Sequence, residues 1–100
     1  MNVMKNYCFL LLLLSLENFN AQKVYTENVS SRADLLVYIE NVSSRATGNE
    51  GIWYFENVSS RADKSIYFEN VASRADLKIC FTDVKSRAGW KNASKKSLMY

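Results

Sequence analysis

Five arginines recur along the sequence at nearly constant intervals, and they have the clearest capacity for chemistry. The set, spaced by 13, 16, 13 and 13 residues, is Arg32, Arg45, Arg61, Arg74 and Arg87. Guanidinium groups held in register could bind phosphates or nucleic acid. Acidic residues, however, stand five positions before or two positions after most of these arginines, and residues 22–88 contain as many acids as bases. The sequence therefore predicts arginine–carboxylate pairs that join neighbouring segments, and no nucleic-acid partner.

Four tyrosines form a second repeated set, Tyr25, Tyr38, Tyr54 and Tyr67. Tyrosine offers flat contact area at a low cost in entropy, so a stripe of tyrosines could bind a surface glycan or a protein. Aromatic residues at repeated strand positions more often serve packing. The sequence leaves both interpretations open, and the alternative to a structural role is a binding module whose face combines these tyrosines with the arginines.

The sequence argues against an enzyme, because it contains no histidine. It therefore lacks the usual general base near neutral pH and the commonest metal ligand. Acid pairs such as Glu56 and Asp63 could do general acid–base work, but nearby arginines balance their charge. The chain has no glycine-rich phosphate loop, no serine–histidine arrangement and no cluster with metal-ligand spacing. We expect no catalytic residue, no cofactor and no metal.

The first 21 residues have the layout of a bacterial secretory signal peptide. A short polar start with Lys5 precedes the apolar run CFLLLLLSL at residues 8–16, and a polar stretch ends at Ala21. The run is well short of the about 20 residues that span a bilayer, so no permanent membrane anchor is expected. The sequence predicts export to the periplasm or outside the cell, cleavage near Ala21, and one domain at residues 22–100. Cleavage would leave Cys80 as a lone thiol, which is typical of a small apolar filler.

The elements that carry these side chains are short repeated units. They read VYTENVSSRADLL, VYIENVSSRA, WYFENVSSRADKS, IYFENVASRADLK and ICFTDVKSRAGWK. The first residues of each unit alternate as in a half-buried strand. The predicted core face is Val24 and Thr26, Val37 and Ile39, Trp53 and Phe55, Ile66 and Phe68, and Ile79 and Phe81. With no proline in the chain, the Asn-Val-Ser-Ser segments are predicted to make the turns.

A one-turn helix is predicted to follow each turn. Ser31, Ser60 and Ser73 have an aspartate three residues on, which is the spacing of a helix N-cap, and tight packing is expected at the alanine of each unit. Units this short cannot hold a full strand–helix–strand crossover and must share one core, as in a small solenoid or a closed barrel. Residues 47–51 add three residues to the period, which predicts a loop on the outside.

These units resemble the bacterial 7(1) septoil knot domain family. The tandem ENVSSRAD and ENVASRAD units and the ending FTDVKSRAGWKNASKKSLMY carry the resemblance, which covers residues 23–100. It implies an α+β fold of 13-residue strand-and-helix repeats wound into a deeply knotted 7(1) torus knot, although general rules disfavour knots. The repeat positions include Trp53 and Trp90 besides the arginines and tyrosines. Cys80 replaces the usual aromatic residue, and Thr47-Gly48 replaces the acid of the alanine–aspartate pair.

The family has no established activity. The resemblance therefore implies a structural, non-enzymatic protein in which resistance to unfolding is the selected property.

Overall fold

The computed structural model describes residues 2–6 and 21–99. Within them the chain forms seven strands, β1 (Asn2–Asn6), β2 (Gln22–Thr26), β3 (Leu35–Ile39), β4 (Ile52–Phe55), β5 (Lys64–Phe68), β6 (Leu77–Phe81) and β7 (Gly89–Trp90). Single 3₁₀ turns follow β2 to β6 at Ser30–Arg32, Ser43–Arg45, Ser59–Arg61, Ala72–Arg74 and Lys85–Arg87. A longer 3₁₀ helix, Ala93–Met99, comes last. The apolar run of the predicted signal peptide lies outside the described residues.

Six of the strands curl into a closed ring. Their order is β4-β1-β5-β2-β6-β3, all neighbours are parallel, and β3 also pairs with β4. The short β7 pairs with β3 in the antiparallel direction. The predicted α component is wrong for the described part of the chain, whose helical segments are all of the 3₁₀ type. The predicted strands are confirmed, and the ring corresponds to the closed barrel that the sequence left open.

A stagger between the strands explains how such short units can connect parallel strands. Thr26, the last residue of β2, lies opposite Ile79 of β6, and Ile79 lies opposite Leu35, the first residue of β3. β3 therefore begins at the height at which β2 ends. The connection at residues 27–34 therefore only has to cross beside β6. An ordinary parallel crossover is longer, because it must run back along the full length of a strand.

Backbone hydrogen bonds hold each end of this connection to the strand it passes. The Glu27 amide donates to the Ile79 carbonyl at 2.6 Å, and the Asp34 amide donates to the Lys78 carbonyl at 2.7 Å. The connection from β5 to β6 passes β2 in the same way, with the Glu69 amide bonded to the Val24 carbonyl at 2.7 Å. The repeat in the sequence therefore corresponds to a repeated way of stepping past one strand.

The side chains inside the ring form the core. Nine are fully buried: Val3, Val24, Leu35, Val37, Trp53, Ile66, Leu77, Ile79 and Met99. The predicted core positions at the start of each unit are all among them. The predicted second positions are only half-buried at Thr26, Ile39, Phe55 and Phe68, and the prediction is wrong for Phe81, which is 41% exposed. Each of these residues is the last of its strand, where the chain leaves the sheet.

The turns differ from the predicted helices in position and in capping. The first turn already begins at Ser30, its N-cap residue is Val29, and no side chain caps it. The Arg32 amide donates to the Val29 carbonyl at 3.0 Å, and the Ala33 amide donates to the Ser30 carbonyl at 3.1 Å. The predicted serine N-caps are therefore wrong, because the tight turn satisfies its own backbone groups. Tight packing at the alanine is confirmed for Ala33 and Ala46, which are buried.

The insertion at residues 47–51 lies only partly on the outside. Gly48 is exposed, but Asn49 and Gly51 are buried. The Asn49 side-chain amide donates to the Lys96 backbone carbonyl at 3.0 Å, and the Asn49 backbone carbonyl accepts a 2.7 Å hydrogen bond from the Trp90 indole. The prediction of an outside loop is therefore wrong for Asn49, which ties β7 and the last 3₁₀ helix to the ring.

Candidate functional site

The five repeated arginines are exposed, and each is the last residue of its 3₁₀ turn. Lysines make three ion pairs among the described residues: Lys85 with Glu40, Lys95 with Asp34, and Lys96 with Glu50. The predicted arginine–carboxylate pairs are wrong at Arg32, Arg74 and Arg87, which form no ion pair with a described carboxylate. The charge of Arg45, by contrast, helps to lower the pKa of the Glu40 carboxyl. The guanidinium groups of Arg32, Arg74 and Arg87 point to solvent and keep their capacity to bind anions.

Asp34 shows why an acid two residues after an arginine does not pair with it. Its carboxylate accepts a 2.9 Å hydrogen bond from the Lys78 amide and a weaker one from the Asn92 side chain at 3.4 Å. Lys95 completes its surroundings at 3.4 Å. The acid therefore fastens the end of the connection to β6.

The four tyrosines are half-buried and alternate with the buried residues of their strands. Tyr67 on β5 lies opposite Lys23 on β2, and Lys23 is two residues before Tyr25. Tyr25 and Tyr67 are therefore diagonal neighbours on adjacent strands. Tyr38 lies opposite Ile52, which makes Tyr38 and Tyr54 a second diagonal pair. The ring contacts of the described residues, Trp53 with Phe55 and Phe55 with Phe68, involve no tyrosine.

The tyrosines therefore form two separate pairs rather than one stripe. β1 lies between the strands of the two pairs on one side of the ring, and β6 lies between them on the other. Trp53 is fully buried in the core, and Trp90 is half-buried and bonded to Asn49. Of the predicted repeat positions, Trp53 alone is fully buried and out of reach of a partner.

A groove of about 800 Å³ lies between the insertion and the last 3₁₀ helix. Glu50 and Lys96, which pair at 2.6 Å, line it together with Asp63, and Met99 lies at its buried end. The Oδ1 atom of Asn49 is buried and has no hydrogen-bond partner, but it is inaccessible to solvent, so a ligand in the groove could not reach it. Sequence reasoning missed this groove, because residues 47–51 and the lysines of the C-terminal segment meet only in the folded chain.

Groups suited to catalysis do not gather in the described part of the chain. No three described histidine, cysteine or acidic residues are placed to hold a metal ion. Glu56 accepts a 3.1 Å hydrogen bond from the amide of the next residue, Asn57, and so serves its own turn. Cys80 is a free, buried thiol. Among the described residues, no helix is long and apolar enough to cross a membrane.

The best-defined electrostatic contact is the pair of Glu40 and Lys85. The Glu40 side chain is only 8% exposed, and the Lys85 ammonium donates to it at 2.6 Å. This hydrogen bond holds the pKa of the Glu40 carboxyl below its ordinary value, against the opposing effect of burial. The pair links the end of β3 to the turn Lys85–Arg87, so it fastens one connection to the strand beside it.

Replacing Lys85 with methionine is expected to weaken the pH dependence of stability in acid. Because the folded-state pKa of Glu40 is lowered, its contribution is present above the unfolded carboxyl pKa of about 4.3 and is lost as the pH falls through the folded value. Lys85 is the largest cause of the lowered pKa, so most of that contribution is lost without it, and the wild type loses more stability between pH 6 and pH 3 than the variant does. Urea unfolding across this pH range measures the difference.

Lys96→Met is the matched control for this experiment. Lys96 pairs with Glu50 at the same 2.6 Å, but the Glu50 side chain is 60% exposed. Exposed pairs contribute little, so this variant should follow the wild-type pH profile. If Lys85→Met and the wild type showed the same dependence of stability on pH, the role given to the Glu40–Lys85 pair would be contradicted.

Comparison with known proteins finds one similarity. The family model of the 7(1) septoil knot domain matches residues 17–91 of this chain. No curated protein and no solved structure matches it. The matched segment contains β2 to β6 and all five repeated units, and it begins after β1.

Proposed function

Because this chain belongs to the 7(1) septoil knot domain family, we propose that it is an exported, non-enzymatic, knotted domain whose selected property is resistance to unfolding. The observation that carries the proposal is the path of the connections. Apart from β3 and β4, which are consecutive and paired, neighbours in the ring are three or four strands apart in sequence, so the other four connections between β1 and β6 each step past one strand.

From β1 to β6 such a path advances nine places around a ring of six strands, which is one and a half circuits. The strands of the second circuit lie between those of the first, as in the order β1-β5-β2-β6-β3. Hydrogen bonds between the connections and the strands they pass hold the two circuits together. This winding supports a torus-type knot, and the 7(1) knot of the family is the specific form that we propose.

A threaded chain resists unfolding in a way that the size of its core does not explain. A domain of this length buries a modest fraction of its surface, and its equilibrium stability is correspondingly limited. A chain whose second circuit lies between the strands of its first cannot separate these strands until one end has been withdrawn past them. The barrier to unfolding therefore rises without a matching rise in equilibrium stability, which is kinetic stability.

Unfolding in concentrated guanidinium chloride is expected to be slow, with a half-life above about one hour. The control is a variant with a specific protease site inserted between Thr47 and Gly48, both of which are exposed. Cutting there after folding breaks the winding and leaves the core contacts in place, so the cut form should unfold at least about a hundredfold faster than the uncut form. Unfolding of the uncut chain within seconds, or equal rates for both forms, would refute the proposal. Tryptophan fluorescence follows the reaction.

Binding of a surface glycan or a protein through tyrosines and arginines is a second candidate function. The support for it is that Arg32, Arg74 and Arg87 are exposed and form no ion pair with a described carboxylate, which leaves their donors available to an anionic ligand. The separation of the tyrosines into two pairs restricts such a ligand to one side of the ring. Binding of an acidic glycan by the full chain would favour this function over a purely structural one.

A further inference from the structure

Strand β1 closes the ring, although it lies outside the domain predicted from the sequence at residues 22–100. β1 lies between β4 and β5 and is parallel to both. Val3 lies opposite Phe55 on β4 and opposite Lys64 on β5, its side chain is fully buried, and its carbonyl accepts a 2.7 Å hydrogen bond from the Glu56 amide. β4 and β5 do not pair with each other in the described sheet.

The residues of β1 are the ones that export would remove. The predicted cleavage near Ala21 separates β1 from β2, and the family match starts at residue 17. The inference rests in this respect on the export that we propose above. The segment that matches the family model therefore contains β4 and β5 but not β1, the strand that lies between them.

Removing β1 would leave an open slot in the ring. β4 and β5 would stand two strand spacings apart, about 9.6 Å, which is too far for direct pairing. Both strands would present unpaired amides and carbonyls to the slot, and the core would lose the side chain of Val3. Contraction of the ring is opposed from inside, because Trp53 and Met99 are fully buried in it and need the width of six strands.

We propose that the slot between β4 and β5 is a strand-acceptor site. In the uncut chain residues 2–6 fill it. After the leader is removed, the slot binds an extended peptide segment of a protein partner, parallel to β4 and β5, with a small apolar side chain at the position of Val3. This is strand addition in which the added peptide pairs with β4 on one side and with β5 on the other.

The chemistry of the slot selects an extended polypeptide. Two facing rows of backbone donors and acceptors match another backbone, and the buried Val3 position accepts an apolar side chain. A second copy of the mature chain is a poorer fit. Its strands β2 to β6 are already paired within their own ring.

The test begins with the full chain, folded and then cut at a specific protease site introduced within residues 7–20, outside the described residues. The probe is a fluorescent peptide with the sequence MNVMKNY, residues 1–7. We expect the cut protein to exchange its own fragment for the probe and to bind it saturably. A probe carrying Val3→Asp should bind at least about thirtyfold more weakly, because it loses apolar burial and would bury a charge. The uncut wild type should not bind the probe.

A second variant keeps the proposal testable if the cut protein unfolds. In the uncut Val3→Asp chain the first strand can no longer seat its side chain, so this chain should bind the wild-type probe in trans. Failure of both the cut protein and this variant to bind the probe overturns the proposal, whether they fold or not. Dimerisation of the cut protein through the slot without binding of the probe also overturns it, in favour of a second copy. The unfolding rates of the full chain are measured separately, so failure here is distinguishable from failure of the proposed knot.

Discussion

Replacing Gly51 with alanine is expected to destabilise the protein by about 2–5 kcal/mol, enough to unfold a domain of this size at moderate temperature. Gly51 has a φ of +84°, a conformation that side chains rarely adopt. A Cβ atom there would lie 2.3 Å from the Leu36 carbonyl oxygen and 3.0 Å from the Gly89 nitrogen. Both contacts are with backbone atoms of the paired strands β3 and β7, so relief of the clash would require the sheet to move.

Gly48→Ala is the matched control for Gly51→Ala. Gly48 has a similar φ of +72°, but no atom lies within 4 Å of the position its Cβ would take. This substitution therefore meets the cost of the left-handed backbone alone, about 1 kcal/mol. Guanidinium chloride unfolding of both variants measures the difference. Equal losses would show that the backbone conformation, and not the close approach to Leu36, determines the role of Gly51.

Replacing Trp53 with alanine is expected to cost about 3–5 kcal/mol, the usual range for an aromatic residue removed from a core. Trp53 is fully buried and packs edge-on against Phe55, with 6.2 Å between the ring centroids. Its Nε1 atom, however, is buried without a hydrogen-bond partner. Trp53→Phe retains most of the apolar contact and removes the unpaired donor, so we expect it to lose less than half as much stability as Trp53→Ala.

Trp90→Phe is the comparison variant for Trp53→Phe, because the indole of Trp90 has a hydrogen-bond partner and that of Trp53 has none. The Trp90 indole donates a 2.7 Å hydrogen bond to the Asn49 carbonyl, so the same exchange of rings removes a bond and leaves the carbonyl without that donor. A loss of about 1–3 kcal/mol is expected from this effect. Thermal unfolding of the three variants tests the argument. If Trp53→Phe were as damaging as Trp53→Ala, the unpaired donor would carry no cost and the shape of the indole would be essential.

The core positions could be predicted because alternation along a strand is a local property. Val24, Val37, Trp53, Ile66 and Ile79 were expected inside from their place in the repeat, and all five are fully buried. The same pattern does not reveal where a strand ends relative to its neighbours. Phe81 shares its repeat position with half-buried residues that also end their strands, and it is nevertheless 41% exposed.

The candidate sites were predicted less well, because charges near one another in sequence are not partners in the fold. Asp34 follows Arg32 closely, yet its carboxylate binds the Lys78 amide and lies near Lys95. The partner of Glu40 is Lys85, which stands 45 residues further on. Such pairs arise where a connection passes a strand from another part of the chain, and no local spacing encodes them.

By itself, the sequence determined the repeat, the inward face of each strand and membership of a family, because these depend on residue type at short range. Only the tertiary structure decided which strands are neighbours, which lysine meets which carboxylate, and that residues 2–6 lie between β4 and β5. The physical reason is that five units of nearly the same sequence offer nearly the same edges. Their order around the ring therefore follows from the stagger of the strands and the closure of a shared core, which are properties of the whole chain.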